Sequence, residues 1–251
     1  MGRRNKKLAK IQQAQQAREF LKHREKFVSL KSLPTDQKRI EIAYFCTIIL
    51  SNPELQYSKI ESIFELCEDP DPSIQALAIS SLASTFIDIL PGYRIQSHEE
   101  EKVTLSKEVK ALRIYESDLL KHYERFIQGL ESHRSQGSII TMCRLLSGLT
   151  HFNYRERLLN TIFKYVNEIP EVLEVIEKIL KGNDIEFKFF TVKCIEKFVK
   201  SSSFKIIPEK IIDMLSAVKF SRLLHDEIPK KRNRDSDENE NNQEVTHVMF
   251  N

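Results

Sequence analysis

The chain has 251 residues, 41% of them hydrophobic and 30% charged, with six Gly, eight Pro and no Trp. That is the composition of a globular chain of one or two domains able to bury a sizeable core. Scarce turn formers beside plentiful Leu, Ile, Lys and Glu favour helices over sheets. The net charge of +3 hides an uneven layout: residues 1–31 hold ten Lys or Arg against two Glu, and the remainder holds 29 basic residues against 34 acidic. A basic arm on a mildly acidic body suits contact with phosphate, because each neutralised phosphate releases counterions. It also suits a nuclear import signal.

The amino terminus, MGRRNKKLAK, has no apolar run behind its charges, which predicts a chain without a secretory leader and an intracellular compartment. Arg3, Arg4, Lys6, Lys7 and Lys10 are the candidate nucleic-acid or import contacts of this arm. From Lys6 to Lys31 there is no Gly or Pro, and Leu8, Ile11, Phe20, Leu21, Phe27 and Val28 are spaced among Gln, Lys and Arg as in a weakly amphipathic basic helix. Leu33-Pro34-Thr35-Asp36 breaks the run, with Thr35 or Asp36 placed to cap the next helix.

Ile40, Ala43, Tyr44, Thr47, Ile48 and Leu50 follow helical spacing until Ser51-Asn52-Pro53. A second helix near Ser58–Cys67 ends at Asp69-Pro70-Asp71-Pro72, where Asp71 reads as an N-cap and Pro72 as the first helical residue. The helix from Ser73 to Leu90 is apolar nearly all round, the pattern of a helix held between layers. Pro91 and Gly92 end it. A polar loop leads to a long helix from about Ser106 to Leu130. Further helices are predicted at 138–149, 154–167, 170–180, 187–200 and 208–224, with turns at Gly137, Asn153, Gly182-Asn183-Asp184 and Ser201–Ser203. Apolar runs at Ile42–Leu50 and Ser73–Ile87 fall short of the roughly 20 residues that span a bilayer.

Short helices with Asp/Pro punctuation, none able to bury its face alone, give an all-α expectation: a HEAT/armadillo-like helical repeat, or α-solenoid. The expected domains are a basic arm at 1–34, the helical-repeat domain at 35–224 and a disordered charged tail at 225–251, where KKRNRDSDENENNQE offers too little apolar surface to offset ordering. Lys230, Lys231, Arg232 and Arg234 are a second candidate nucleic-acid or import cluster.

Catalytic motifs are missing from the pattern. There is no GxxxxGK, GxGxxG, HExxH or Gly-x-Ser-x-Gly, and the seven His are dispersed. Cys46, Cys67, Cys143 and Cys194 stand alone in apolar segments and read as buried reduced thiols. The expectation is a non-catalytic interaction scaffold with no cofactor, no metal and no small-molecule substrate. Tyr93 and Arg94, just after the forced turn, have two readings: an aromatic and a guanidinium presented to a partner, or Tyr93 packed over the helix end with Arg94 capping its carbonyls.

The stretch DPDPSIQALAISSLASTFIDILPGYRI, Asp69 to Ile95, resembles the signature of the nucleolar complex protein 3 family. Ser106-Lys107-Glu108-Val109-Lys110 with Leu112-Arg113 and Tyr115-Glu116 looks like the family's next block, as does His151-Phe152-Asn153-Tyr154-Arg155 with Leu158-Leu159. The blocks keep family order over about Ile40 to Phe220, the family's amino-terminal half. The resemblance implies a nucleolar factor in large ribosomal subunit biogenesis that partners a nucleolar complex protein 2 homologue and pre-ribosomal particles. Contact with rRNA or chromatin is implied too, with replication initiation as the alternative setting. It singles out Asp71, Pro72, Pro91, Gly92, His151, Phe152 and Asn153 as structural positions, and Tyr93, Arg94, Arg113 and Arg155 as the candidate partner surface.

Overall fold

In the computed structural model the described residues are 30–96, 106–201 and 209–217. The chain divides into two compact units, Met1–Leu215 and Ser216–Asn251. Of the second unit only Ser216 and Ala217 are described. The basic arm through residue 29, the charged tail and both basic clusters therefore lie outside the described residues.

Among the described residues every regular element is helical, as the composition predicts. A 3-10 turn at Leu30–Ser32 leads into α1 (Thr35–Ser51), the single turn α2 (Pro53–Gln56), a second 3-10 turn at Tyr57–Lys59, α3 (Ile60–Cys67) and α4 (Pro72–Ile89). Then follow α5 (Lys107–His133), α6 (Gln136–Gly148), α7 (Arg155–Ile162) with a 3-10 turn at Phe163–Tyr165, α8 (Pro170–Lys181), α9 (Ile185–Ser201) and α10 (Glu209–Ala217).

Two helices organise the first unit. α4 packs against α1, α3 and α6, and α6 packs against α4, α5, α7 and α8. Enclosure on several sides explains why α4 is apolar all round, with Ile74, Ala78, Leu82, Ala83 and Phe86 fully buried. Its hydroxyls satisfy themselves: Ser80, Ser84 and Thr85 donate to the carbonyls of Leu77, Ser80 and Ser81. Gly148 allows α6 to approach α4 closely, since a Cβ there would meet Ile87 Cγ2 at 3.1 Å.

Proline sits at N1 of α2, α4 and α8, where its missing N–H costs nothing. Asp71 caps α4 by accepting from the Ser73 amide at 2.9 Å. The expected cap of α1 is different: Pro34 occupies that position, and the Thr35 hydroxyl donates to Asp71 Oδ2 at 3.3 Å. Thr35 thus ties the start of α1 to the start of α4. Two further boundaries shift. The stretch expected as one helix over 154–167 is α7 and a 3-10 turn, and α5 continues to His133, where Arg134 ends it in the left-handed region at φ 46°.

Beside that corner lies a buried ion pair. Lys38 Nζ donates to Asp69 Oδ2 at 2.7 Å, with the side chains 7% and 0% exposed. Asp69 Oδ1 accepts from the Asp71 amide at 3.0 Å, so both carboxylate oxygens are used. Burial works against the Asp69 charge, but the bonds from Lys38 and the Asp71 amide outweigh it and hold the carboxyl below its ordinary range. Asp69, expected only as punctuation, is therefore the acceptor that joins α1 to the α3–α4 turn.

The core has an aromatic centre. Tyr123 of α5 meets Phe86 of α4 edge-on at 5.4 Å and Phe152 of the α6–α7 loop at 5.5 Å between ring centroids. Its hydroxyl is buried without a hydrogen-bond partner, and burial drives the phenol's pKa upward.

Two expected outcomes test these features. Asp69→Asn leaves the Lys38 ammonium buried against a neutral partner and should cost about 3–5 kcal/mol in urea unfolding, whereas Lys38→Met/Asp69→Leu should recover much of that loss. Because the folded-state pKa of Asp69 is lowered, its contribution is complete above the ordinary value of about 3.9 and fades as pH falls below it. The double variant should lose less stability on acidification than the parent. Tyr123→Phe should raise stability by up to about 1–2 kcal/mol, because it removes an orphaned buried hydroxyl and keeps the ring; a loss would show that the hydroxyl has a partner in solution.

Candidate functional site

Three loops distant in sequence meet at the carboxyl end of α4. They are the α4 exit at Leu90–Ile95, the α6–α7 loop at Thr150–Tyr154 and the α8–α9 turn leading to Asp184 and Glu186. The first two are the blocks that Asp69–Ile95 and His151–Arg155 supply to the family resemblance.

The first two loops are laced by complementary amides. The Ile95 amide donates to Asn153 Oδ1 and Asn153 Nδ2 donates to the Ile95 carbonyl, both at 2.9 Å. One Asn side chain thus satisfies both main-chain groups of a buried residue, as a neighbouring strand would. His151 Nε2 lies 3.2 Å from the Pro91 carbonyl oxygen, and Arg94 Nε donates to the His151 carbonyl at 3.3 Å. Phe152 is fully buried beneath them, stacked edge-on against Tyr123. Tyr154 turns the chain into α7 with φ 64°, a left-handed conformation unusual for a tyrosine.

Arg155 joins the third loop. Its side chain is 3% exposed and pairs through Nη1 with Asp184 Oδ2 and through Nη2 with Glu186 Oε2 at 2.8 Å. Nη1 also donates to the Thr150 carbonyl at 3.1 Å, and the guanidinium lies 4.4 Å over the Phe187 ring. Two carboxylates, a carbonyl and an aromatic face together replace the water that a buried guanidinium gives up. Asp184 does double duty, since its Oδ1 accepts from the Phe187 amide at 2.9 Å and so caps α9. Burial opposes the Asp184 charge, yet the Phe187 amide and Arg155 hold its carboxyl below the ordinary range.

Arg94 reaches the same Glu186 Oε2 at 3.2 Å from the outer side. Tyr93, 55% exposed, donates its hydroxyl to Glu116 of α5. Among the candidate partner residues, then, Tyr93 and Arg94 are presented at the surface and Arg113 is half-buried. Arg155 is a correction: its charge is turned inward and consumed by the α9 start. Arg94 also differs from the expected cap, bonding the carbonyl of His151 instead of the last carbonyls of α4. Pro91 and Gly92 end α4 as expected, with Leu90 as its C-cap. Among the described residues no three or more His, Cys, Asp or Glu gather as a metal site. No described helix is long and apolar enough to cross a membrane. Cys67 and Cys143 are buried, and burial pushes both thiols up to about 12.

The junction separates two kinds of arginine, which unfolding measurements can distinguish. Arg155→Ala should cost about 2–4 kcal/mol, since it removes the hydrogen bonds and ring contact of a buried group. Arg94→Ala should cost less than about 1 kcal/mol, because its ion pair is half-exposed and screened. Equal losses would mean that Arg94 carries part of the fold.

The sequence is similar to those of known proteins. A family model described as nucleolar complex-associated protein matches residues 37–126, from α1 to most of α5. The nucleolar complex-associated protein 3 of Arabidopsis thaliana is 36% identical over 145 residues, covering 55% of this chain and 18% of its own length. The nucleolar complex protein 3 homolog of Mus musculus is 24% identical over 255 residues, covering 83% of this chain and 32% of its own. The Schizosaccharomyces pombe nucleolar complex-associated protein 3 is 26% identical over 193 residues, 68% of this chain and 26% of its own. The chain spans a third or less of the length of these relatives. Over that span, the chain is similar to the nucleolar complex protein 3 family.

Proposed function

We propose that this chain acts in the nucleolus as a non-catalytic scaffold in large ribosomal subunit biogenesis, docking a nucleolar complex protein 2 homologue and pre-ribosomal particles. The observation that carries the reading is the family match over residues 37–126, together with relatives named as nucleolar complex proteins in plants, animals and yeast. The proposed architecture is a HEAT/armadillo-like repeat, in which stacked helices bury one another and leave a continuous outer surface for partners. All-α packing around α4 and α6 supports it. The basic arm through residue 34 and the charged tail from 225 are proposed as the flanking segments that reach phosphate or import receptors, through Arg3, Arg4, Lys6, Lys7, Lys10, Lys230, Lys231, Arg232 and Arg234. Tyr93 and Arg94 are the proposed partner contacts at the surface of the junction.

Purification of the tagged endogenous protein from nuclear extract, with and without nuclease, tests this reading. The expected outcome is recovery of a nucleolar complex protein 2 homologue with large-subunit precursor RNA, the protein partner persisting after nuclease. Arg94→Ala should reduce that recovery several-fold at unchanged expression. Recovery of chromatin-bound replication factors without pre-ribosomal RNA would replace the proposal with a chromatin adapter.

A further inference from the structure

The helix α9 packs on α7 and α8, and Phe187, Thr191 and Ile195 form its buried side. On the other side, three or four residues apart, stand Phe189, Lys193, Lys197 and Lys200, all exposed. The row is unlike an ordinary solvated face. Phe189 is 43% exposed, an aromatic ring left at the surface, and the Lys193 ammonium lies 4.4 Å over it. Both carboxylates of α9 are already spent, Glu186 on Arg155 and Arg94, and Glu196 on Lys200 at 2.5 Å. Three ammonium groups against the one carboxylate of Glu196 leave the row cationic. The helix dipole accounts for a cation only in the last turn, where Lys200 stands; Lys193 and Lys197 lie before it.

We propose that this row is a platform for single-stranded nucleic acid, which the function proposed above, on which this identification rests, makes RNA of the pre-ribosomal particle. Lys193 and Lys197 are four residues apart, about 6 Å along the helix, and the row from Phe189 to Lys200 runs roughly 16 Å. Ammonium groups on flexible stems neutralise successive phosphates without the fixed fork of a guanidinium, and an exposed ring gives a base a face to stack on. The depression beside them is lined, among the described residues, by Lys193, Glu196, Lys197 and Lys200. It offers charge and no side-chain amide to read a base edge, so the contact follows the backbone and tolerates sequence. An acidic peptide would meet the same ammonium groups and leave the ring without a partner; the aromatic at the head of the row is what favours a nucleic acid. The helical body thereby gains a phosphate contact of its own beside the flanking basic segments.

The chain has no Trp, so Phe189→Trp in the full chain is a lone reporter at the head of the row. Oligouridine should quench its emission by stacking, and added salt should reverse the quenching. Lys193→Gln/Lys197→Gln, introduced into that variant, should weaken binding several-fold. It should also make the plot of log affinity against log salt shallower by about 1.4, at about 0.7 for each of two phosphates. Both lysines are exposed, so the urea midpoint should stay where it is. Oligouridine that binds without quenching the indole, or with an affinity and salt slope untouched by the lysine changes, overturns the proposal, because the contacts then lie elsewhere on the chain. Polyglutamate that binds as tightly, with the same dependence on Lys193 and Lys197, assigns the face to an acidic protein and overturns it too. Where quenching and slope behave as expected but the endogenous protein recovers no pre-ribosomal RNA, the platform stands and the ribosomal setting falls.

Discussion

A guanidinium removed from water must be surrounded by acceptors, and the region from α4 to α9 is arranged around that requirement. Arg155 stands at the first position of α7, where a cation gains nothing from the helix dipole. It is tolerated because the α9 start brings Asp184 and Glu186 to it, while those carboxylates stand at the favourable end of α9. Placing Arg155 therefore fixes the α8–α9 turn against the α6–α7 loop. The Thr150 carbonyl beneath Nη1 fixes the loop itself. Glu186 then passes the constraint outward to Arg94 at the end of α4.

The first four helices solve a similar problem with a smaller set. Lys38 and Asp69 are buried together at the corner where α1 faces the α3–α4 turn, and Asp71, two residues on, both caps α4 and accepts from Thr35. A pair of this kind adds little net stability over apolar side chains of the same shape. What it supplies is register, because sliding α1 by one residue would strand a charge in the core. Between the two polar seams lies the Phe86, Tyr123 and Phe152 cluster, which is indifferent to direction and fills space.

Much of this was legible in the residues. Apolar spacing located the helices, and Asp71, Pro72, Pro91 and Gly92 marked the ends of α4, because capping and proline chemistry act within a few residues of where they are written. The helix α7 was less readable: its short apolar run continues into Phe163 and Tyr165, and only packing shows where the 3-10 turn begins. Arg155 was misread for a deeper reason. An arginine at a helix start looks exposed until the chain 29 and 31 residues later is known to return to it. Tyr154 gave no warning of its positive φ, and Asp69 looked like turn punctuation because its partner lies 31 residues earlier. Local chemistry is written locally; the partners of buried charges are not.

Those sequence separations set an order of assembly. The Lys38–Asp69 contact spans 31 residues and can close as soon as α4 begins to emerge, whereas the Arg94–Glu186 contact spans 92. Loop closure over the longer span costs more entropy and must wait for α5 to α8 to intervene. On a translating ribosome that delivers the amino-terminal part first, the α1–α4 half is a folding unit in waiting well before its exit loop has anything to grip. Until Asp184 and Glu186 arrive, Arg155 remains hydrated, and the α6–α7 loop has no reason to hold the unfavourable turn at Tyr154. The junction thus works as a latch that closes only once residues 184 and 186 have been delivered, and a nascent protein stalled before residue 184 would carry an unlatched α6–α7 loop.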